Sequence, residues 1–319
     1  MKYYAGIDLG GTGIKCGIVD KNGKIVATKK CATRKNVSAE EIISDMATMV
    51  SELKDETGLN LEAVGVGCPG IIDTVNGNII YNNNLAWKNV PIVSVLTGIL
   101  HLPIFVTNDA NAAALGEYFY GSGKRYNSIV MLTLGTGVGS GVVFNGKAFE
   151  GNCGAGVELG HEVIRMGGEK CTCGRKGCFE TYASATALIR QTQEAMKKES
   201  CSLLWRLTDG NLNNVNGKTV FDAYREGDKT ARRVVKKYIQ YLATGVMNII
   251  NAFHPEAVIL GGGLCADGDI FLQPLRAEVE RGVFGGSDFA PVEIVTASLG
   301  NKAGICGAAA LTFDRKHYK

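Results

Sequence analysis

The chain has 319 residues, 45% of them hydrophobic, with 34 lysines and arginines against 31 aspartates and glutamates. That length is enough for two lobes of ordinary domain size, and a net charge of +3 is too even to hold a nucleic-acid backbone or an anionic membrane by electrostatics. No apolar run reaches the roughly 18 residues of a membrane span, and the opening MKYYAGIDLG lacks the basic flank and apolar stretch of a secretory leader. The expectation is a soluble, cytoplasmic protein with a small-molecule partner.

Tyr3 to Asp8 reads as a buried strand broken by Gly10 to Gly13. Ile14 to Val19 resumes strand composition, and Asn22-Gly23 turns the chain into IVATKK, which makes a three-stranded meander. Over 38–57, Ser38 and Glu41 have capping-box spacing, while Ile42, Ile43, Met46, Met49, Val50 and Leu53 recur at helical intervals up to Gly58. AVGVGCPG and PIFVTND read as strands, and ANAAALGEYFYG as a helix opening after Asn108-Asp109, so strands and helices alternate and the class is α/β. From 128, SIVMLTLGTGVGSGVVFNGKAF repeats the order strand, glycine turn, strand, Asn-Gly turn, strand, with Leu134 standing 125 residues after Leu9. Two related halves are therefore expected. A long helix from Thr230 to Phe253 stops before Pro255, EAVILGGGL delivers glycines at a strand end, and the Gly- and Ala-rich 301–311 reads as a closing helix.

DLGGTGIK, LGTGVGSG and LGGGL each end a strand in residues without side chains, which lets consecutive N–H groups turn towards a phosphate chain and lets it approach closely. Any one of them alone is also compatible with a plain hairpin. Two other nucleotide signatures fail. Gly65, Gly67 and Gly70 satisfy G-x-G-x-x-G, but no helix follows and no carboxylate stands about 20 residues on. The GKT at Gly217 to Thr219 has Leu212 where a P-loop needs glycine, and reads as a polar loop. Asp109 fits two roles, a helix N-cap and a general base kept ionised by the helix N-terminus. Cys171, Cys173 and Cys178 with His161 supply three thiolates and an imidazole, the set that closes a structural tetrahedral Zn²⁺ site, and Gly174 and Gly177 let the chain fold round an ion. A CxC redox pair is the alternative, and Cys153 is a competing ligand. The remaining six cysteines, Cys16, Cys31, Cys68, Cys201, Cys265 and Cys306, are scattered and read as small hydrophobes.

Taken together, DLGGT, NDANAAALGE, LGTGVGSG, Glu158-Leu159-Gly160-His161, CTCGRKGCFE and the late LGGG resemble the ROK sugar kinases over nearly the whole chain. The resemblance implies an actin-like ATPase (ribonuclease H-like) α/β fold of two lobes with the active site in the cleft between them. Residues 1–117 with 301–319 would form the small lobe and 118–300 the large one. It implies that Asp8 holds Mg²⁺ through water, and that Gly10, Gly11 and Thr12 with Gly135, Thr136 and Gly137 straddle the phosphates of ATP. Gly262 and Gly263 would flank the adenosine. Lys15 either adds positive charge near the phosphates or is a solvated strand lysine. Asp109 is implied to be the general base on a sugar hydroxyl, with Asn108 bonding neighbouring hydroxyls and Gly70 at the sugar. Glu158, His161 and Glu180 would read the hydroxyls of the anomeric end, positioned by the zinc knot, from which the family pattern omits Cys153.

Within the family, ETYASATALIR and NDANAAALGE look most like the glucokinase branch, which implies phosphorylation of glucose at its 6-hydroxyl by a homodimer. N-acetylglucosamine or N-acetylmannosamine kinase is the alternative. A sugar-sensing transcription repressor is a further reading, but such relatives carry a helix-turn-helix ahead of the first glycine turn, and here a strand begins at Tyr3. One departure stands in GAGVELGH: Val157 precedes the glutamate where glucokinases of the family more often have glycine. Asn83, Asn84 and Trp87 are sugar-facing candidates, or part of an ordinary asparagine turn.

Overall fold

The computed structural model describes residues 1–286, 288 and 291–312. In chain order it begins with β1 (Tyr3–Leu9), β2 (Gly13–Asp20), β3 (Ile25–Ala32), α1 (Ala39–Thr57) and β4 (Leu61–Cys68). Three short strands follow, β5 (Ile71–Asp73), β6 (Asn78–Asn82) and β7 (Trp87–Val90), then α2 (Ile92–Leu100), β8 (Ile104–Asn108) and α3 (Asp109–Tyr120). The chain continues through β9 (Ser128–Leu134), β10 (Val138–Phe144) and β11 (Lys147–Ala148) to a helical stretch, α4 (Glu180–Ala183), α5 (Ala185–Lys198), α6 (Leu203–Leu207), α7 (Thr219–Arg225) and α8 (Lys229–Phe253). Last in order come β12 (Ala257–Gly261), α9 (Asp269–Gly282), β13 (Glu293–Thr296) and α10 (Ala303–Ala310).

The repeat expected from sequence is present as topology. One five-stranded sheet has the order β3-β2-β1-β4-β8 and the other β11-β10-β9-β12-β13, so each is a meander extended by two later strands in the same positions. In the first sheet β1 pairs antiparallel with β2 and parallel with β4, and β4 pairs parallel with β8. The parallel strands therefore deliver Cys68 and Asn108 at one edge of the sheet, in register with each other. A separate three-stranded sheet, β5-β6-β7, occupies the stretch in which the sequence excludes a helix.

Local signals account for the helix ends. Ser38 and Glu41 form the reciprocal capping box of α1, with Glu41 N donating to Ser38 Oγ at 3.2 Å and Ser38 N to Glu41 Oε2 at 2.9 Å. Gly58 ends α1 in the left-handed region. The GKT stretch, expected as a polar loop, instead leads into α7, with Thr219 buried at its first position.

The chain divides into two compact units: Met1–Met131, Gly141–Val157 and the described residues from Ser298 onward, and Leu132–Ser140 with Glu158–Ala297. These boundaries differ from the expected division at 117/118 and 300/301. Residues 141–157 go with the first unit because Gly141 lies against Ala110 and Ala114, and Glu150 accepts hydrogen bonds from Thr74 and Thr107. The core of the first unit packs Ile7, Leu9, Ile14 and Ile18 of the sheet against Ile43, Met46 and Leu53 of α1. In the second unit Phe179, Tyr182, Phe221, Tyr238 and Phe271 are fully buried, and the Tyr238 hydroxyl donates to the Ala183 carbonyl at 2.6 Å. Among the described residues no helix is long and apolar enough to cross a membrane.

On the opposite face of the first sheet from α1, α10 packs with no side chain between backbones. A methyl group on Gly65 of β4 would fall inside the Ala308 carbonyl of α10, and one on Gly307 would fall inside the Ala112 carbonyl of α3. Neither neighbour can yield, because both are helix backbone. Gly65→Ala is expected to lower unfolding stability by about 3 kcal/mol, the upper part of the range for overpacked cores, read as a lower denaturant midpoint. An unchanged midpoint would contradict this packing.

Candidate functional site

In the first unit, the turn after β1 is closed by Gly10 N donating to Gly13 O at 2.9 Å and held from β3 by Thr33, whose Oγ1 donates to Gly10 O at 2.7 Å and whose N donates to Thr12 O at 3.2 Å. Gly11 needs its missing side chain for space: a methyl there would lie 3.1 Å from Asn84 Cβ. Of the three sugar-facing candidates in the 81–87 stretch, Asn84 is thus beside the glycine turn after β1, Asn83 bonds Tyr81 and Trp87 is buried. Lys15 lies directly across β1 and β2 from Asp8, and its Nζ donates to Asp8 Oδ2 at 3.1 Å. Both side chains keep solvent contact, so the pair itself contributes little stability. Its chemical consequence is larger: a divalent cation reaching Asp8 meets a carboxylate already shared with an ammonium.

Asp109 opens α3. The sequence offered it as a helix N-cap, but the cap is Asn108, whose Oδ1 accepts from Ala110 N at 2.8 Å; Asp109 is the first helical residue, with Oδ1 2.9 Å from the same N–H. The helix N-terminus still favours its anionic form. Asn108 Nδ2 donates to Gly70 O at 3.1 Å. Gly70 has φ +109°, and a side chain there would strike the Tyr81 carbonyl, so only glycine can present its oxygen to Asn108 in this way. Both polar atoms of Asn108 have internal partners, each retaining one hydrogen or lone pair for a further bond.

In the second unit, Gly135 N donates to Gly137 O at 3.0 Å, and Ala185 N at the start of α5 donates to Gly135 O at 2.9 Å. A methyl on Gly135 or Gly263 would meet nothing within 4 Å, so these backbones face open space, as an approaching phosphate or nucleoside requires. Gly262 is packed against the Leu134 backbone, and Gly137 lies against the Glu180 carboxylate.

The ligand atoms of His161, Cys171, Cys173 and Cys178 all lie within 4.8 Å of one another. Cys173 Sγ is 3.7 Å from Cys178 Sγ, and Cys171 Sγ is 3.5 Å from His161 Nδ1. A tetrahedral ion with Zn–S near 2.3 Å and Zn–N near 2.0 Å would hold sulfurs about 3.8 Å apart and sulfur about 3.5 Å from nitrogen. These two separations match those values, whereas a disulfide needs sulfurs about 2 Å apart. Cys153 is exposed and stands outside the cluster.

Glu180, the first residue of α4, touches both features: Oε1 lies 3.0 Å from Cys171 Sγ and accepts from Thr172 Oγ1 at 3.3 Å, while Oε2 borders Gly137. Burial pushes the Glu158 carboxyl above the ordinary range, His161 opposes this and Glu180 reinforces it. The turn carrying Glu158 and His161 is fixed by Ser140, whose Oγ accepts from Leu159 N at 3.1 Å, and by Gly160, where a side chain would strike the Val138 carbonyl. Ser140 was not legible as a site residue. Its one signal was a polar residue on the inward side of a strand.

Val157 sits at φ +64°. For a β-branched residue this left-handed conformation is strained, which explains why glycine suits the position before the glutamate. Val157→Asn, which tolerates this region better, is expected to raise stability by about 1 kcal/mol, measured as a higher Tm. A lower Tm would show that packing of the isopropyl group outweighs the strain.

Residues 4–315 match the ROK family model. The glucokinase of Thermotoga maritima is 39% identical over 311 residues, covering 97% of each chain. That of Streptomyces coelicolor is 35% identical over 313 residues, covering 98% of each. Among solved structures, a ROK family glucokinase from Streptomyces griseus, in complex with glucose and AMPPNP, superposes with a TM-score of 0.83 at 34% identity, covering 97% of this chain and 98% of that one. With the glycine turns, the Asn108-Asp109 pair and the Cys/His cluster all in place, the chain belongs to the ROK family.

Proposed function

We propose that this protein is a glucokinase that transfers the γ-phosphoryl group of ATP to the 6-hydroxyl of glucose. The observation that carries the reading is Asp109 at the first position of α3, held by an adjacent cap in a chain 35–39% identical to glucokinases over nearly its full length. Phosphoryl transfer asks the protein mainly to position an alcohol, neutralise phosphate charge and accept a proton. Asp109 takes the proton of the 6-hydroxyl as the sugar oxygen bonds to the γ-phosphorus and the bond to the β,γ-bridging oxygen breaks, releasing ADP. The N–H groups of Gly10 to Thr12 and Gly135 to Gly137 bind phosphate oxygens, and Gly262 and Gly263 flank the adenosine. Asp8 would hold a Mg²⁺ ion, which would supply charge neutralisation on the phosphates, and Lys15, bonded to Asp8, adds positive charge beside them. Asn108 uses its remaining hydrogen on a neighbouring hydroxyl beside Gly70.

Glu158, His161 and Glu180 accept from or donate to hydroxyls at the anomeric end. His161, Cys171, Cys173 and Cys178 would hold a structural Zn²⁺, which would neutralise three thiolates and lock the loop that carries these side chains. The assembly is a cytoplasmic homodimer acting on glucose entering glycolysis.

Asp109→Asn is expected to lower kcat by at least ~100-fold, the size of a lost general base, while glucose affinity stays within a few-fold. Near-normal turnover would refute the assignment. Across a panel of hexoses and N-acetylhexosamines, kcat/KM should be highest for glucose, and a preference for an N-acetyl sugar would move the reading to the alternative kinase. Chelation should release zinc and lower Tm and glucose affinity together. Metal-free protein with both unchanged would dispose of the structural zinc.

A further inference from the structure

Glu150 has no place in the reading above, yet its surroundings are unusual for a carboxylate. It follows β11 in the stretch AFEGN and is largely enclosed within the first unit. Thr107 Oγ1 donates to Oε1 and Thr74 Oγ1 donates to Oε2 at 3.1 Å, and the Asn111 side chain lies near enough to favour the charged carboxylate. Thr107 and Asn111 are themselves buried, at 0% and 5% exposure, and they stand two residues before and two after Asp109. One carboxylate therefore holds the strand side of the strand-to-helix corner that presents Asp109, with Asn111 of the helix beside it. Through Thr74 it also reaches the segment between β5 and β6, a few residues beyond the Gly70 that anchors Asn108.

We infer that Glu150 is a positioning residue for Asp109: its bonds from Thr107 and Thr74 fix the strand side of the corner so that the Asp109 carboxylate meets the sugar hydroxyl in line. The inference rests on the reading of Asp109 as the base. Burial alone would disfavour an ionised group here, and the hydrogen bonds from Thr107 and Thr74 act against that penalty. Asn111 Oδ1 is buried without a hydrogen-bond partner among the described residues, so an amide at position 150 could accept from Thr107 through its oxygen and donate through its nitrogen to the Thr74 hydroxyl, which can also accept, or to Asn111 Oδ1. Glutamine should therefore substitute for glutamate, and alanine should not.

The test is steady-state kinetics with glucose and ATP on Glu150→Ala, Glu150→Gln and Thr107→Val, with Tm measured for each. Misplacing a reacting group by a fraction of an ångström predicts that Glu150→Ala lowers kcat about 10-fold or more while KM for ATP stays within about twofold. Glu150→Gln should restore most of kcat. Thr107→Val, which keeps the shape and removes only one donor, should lower kcat in the same direction, and the Glu150→Ala/Thr107→Val double variant should lose little beyond Glu150→Ala alone. Wild-type kcat in folded Glu150→Ala overturns the inference, as does a loss that glutamine fails to restore. If Glu150→Ala does not fold, Thr107→Val decides: unchanged kcat overturns, a selective kcat loss supports. Should Asp109→Asn itself stay active, the base reading fails first; an inactive Asp109→Asn beside a fully active Glu150→Ala removes only the positioning role.

Discussion

Where α10 crosses β1 and β4, backbone meets backbone, and the first unit depends on that contact. Gly6, Gly65 and Gly307 are the positions at which a methyl group would overlap a carbonyl of α10 or α3, and Gly116 of α3 meets the Ala303 carbonyl in the same way. Close approach of this kind brings many atoms into dispersion contact without side-chain entropy loss, and it leaves no slack, because backbone cannot change rotamer. It fixes α3 relative to the sheet. Since α3 begins at Asp109 and β8 ends at Asn108, it also fixes where Asp109 can stand only to the level of the helix axis; the corner itself is held by the hydrogen bonds of Asn108 and Thr107.

The second unit solves a similar problem with different chemistry. Its loop from 158 to 180 has little regular structure, only a 3₁₀ turn over Leu159–His161 and isolated bridges, so packing alone gives it few constraints. Three cysteines and a histidine gather there, and the Zn²⁺ we propose they hold would compensate. Glu180 is the link between that cluster and the glycine turn at 135–137, since one of its oxygens faces Cys171 and the other Gly137.

Much of this was legible in the sequence, for physical reasons that differ by element. The capping box of α1, the Asn22-Gly23 turn and the 125-residue repeat of strand and glycine turn are local signals, and each appears where it was read. The Cys/His set was legible because few arrangements of soft ligands have another use. What escaped was long-range. Nothing near Glu150 announces that Thr74 and Thr107 will donate to it across 76 and 43 residues of chain. Asn108 rather than Asp109 caps α3 because Gly70 fixes the asparagine rotamer, a contact made 38 residues away. The unit boundaries shifted for the same reason, and Val157 could be flagged as a departure but its positive φ could not be foreseen.

The central claim is that Asp109 accepts the proton of the sugar hydroxyl to be phosphorylated. The most direct measurement is a crystal structure of the protein with glucose and a non-hydrolysable ATP analogue. The account predicts an Asp109 carboxylate oxygen within about 3.2 Å of the glucose 6-hydroxyl, the reach required of a general base, with that hydroxyl facing the γ-phosphorus. A complex in which another carboxylate occupies that position and Asp109 lies beyond hydrogen-bond reach would contradict it.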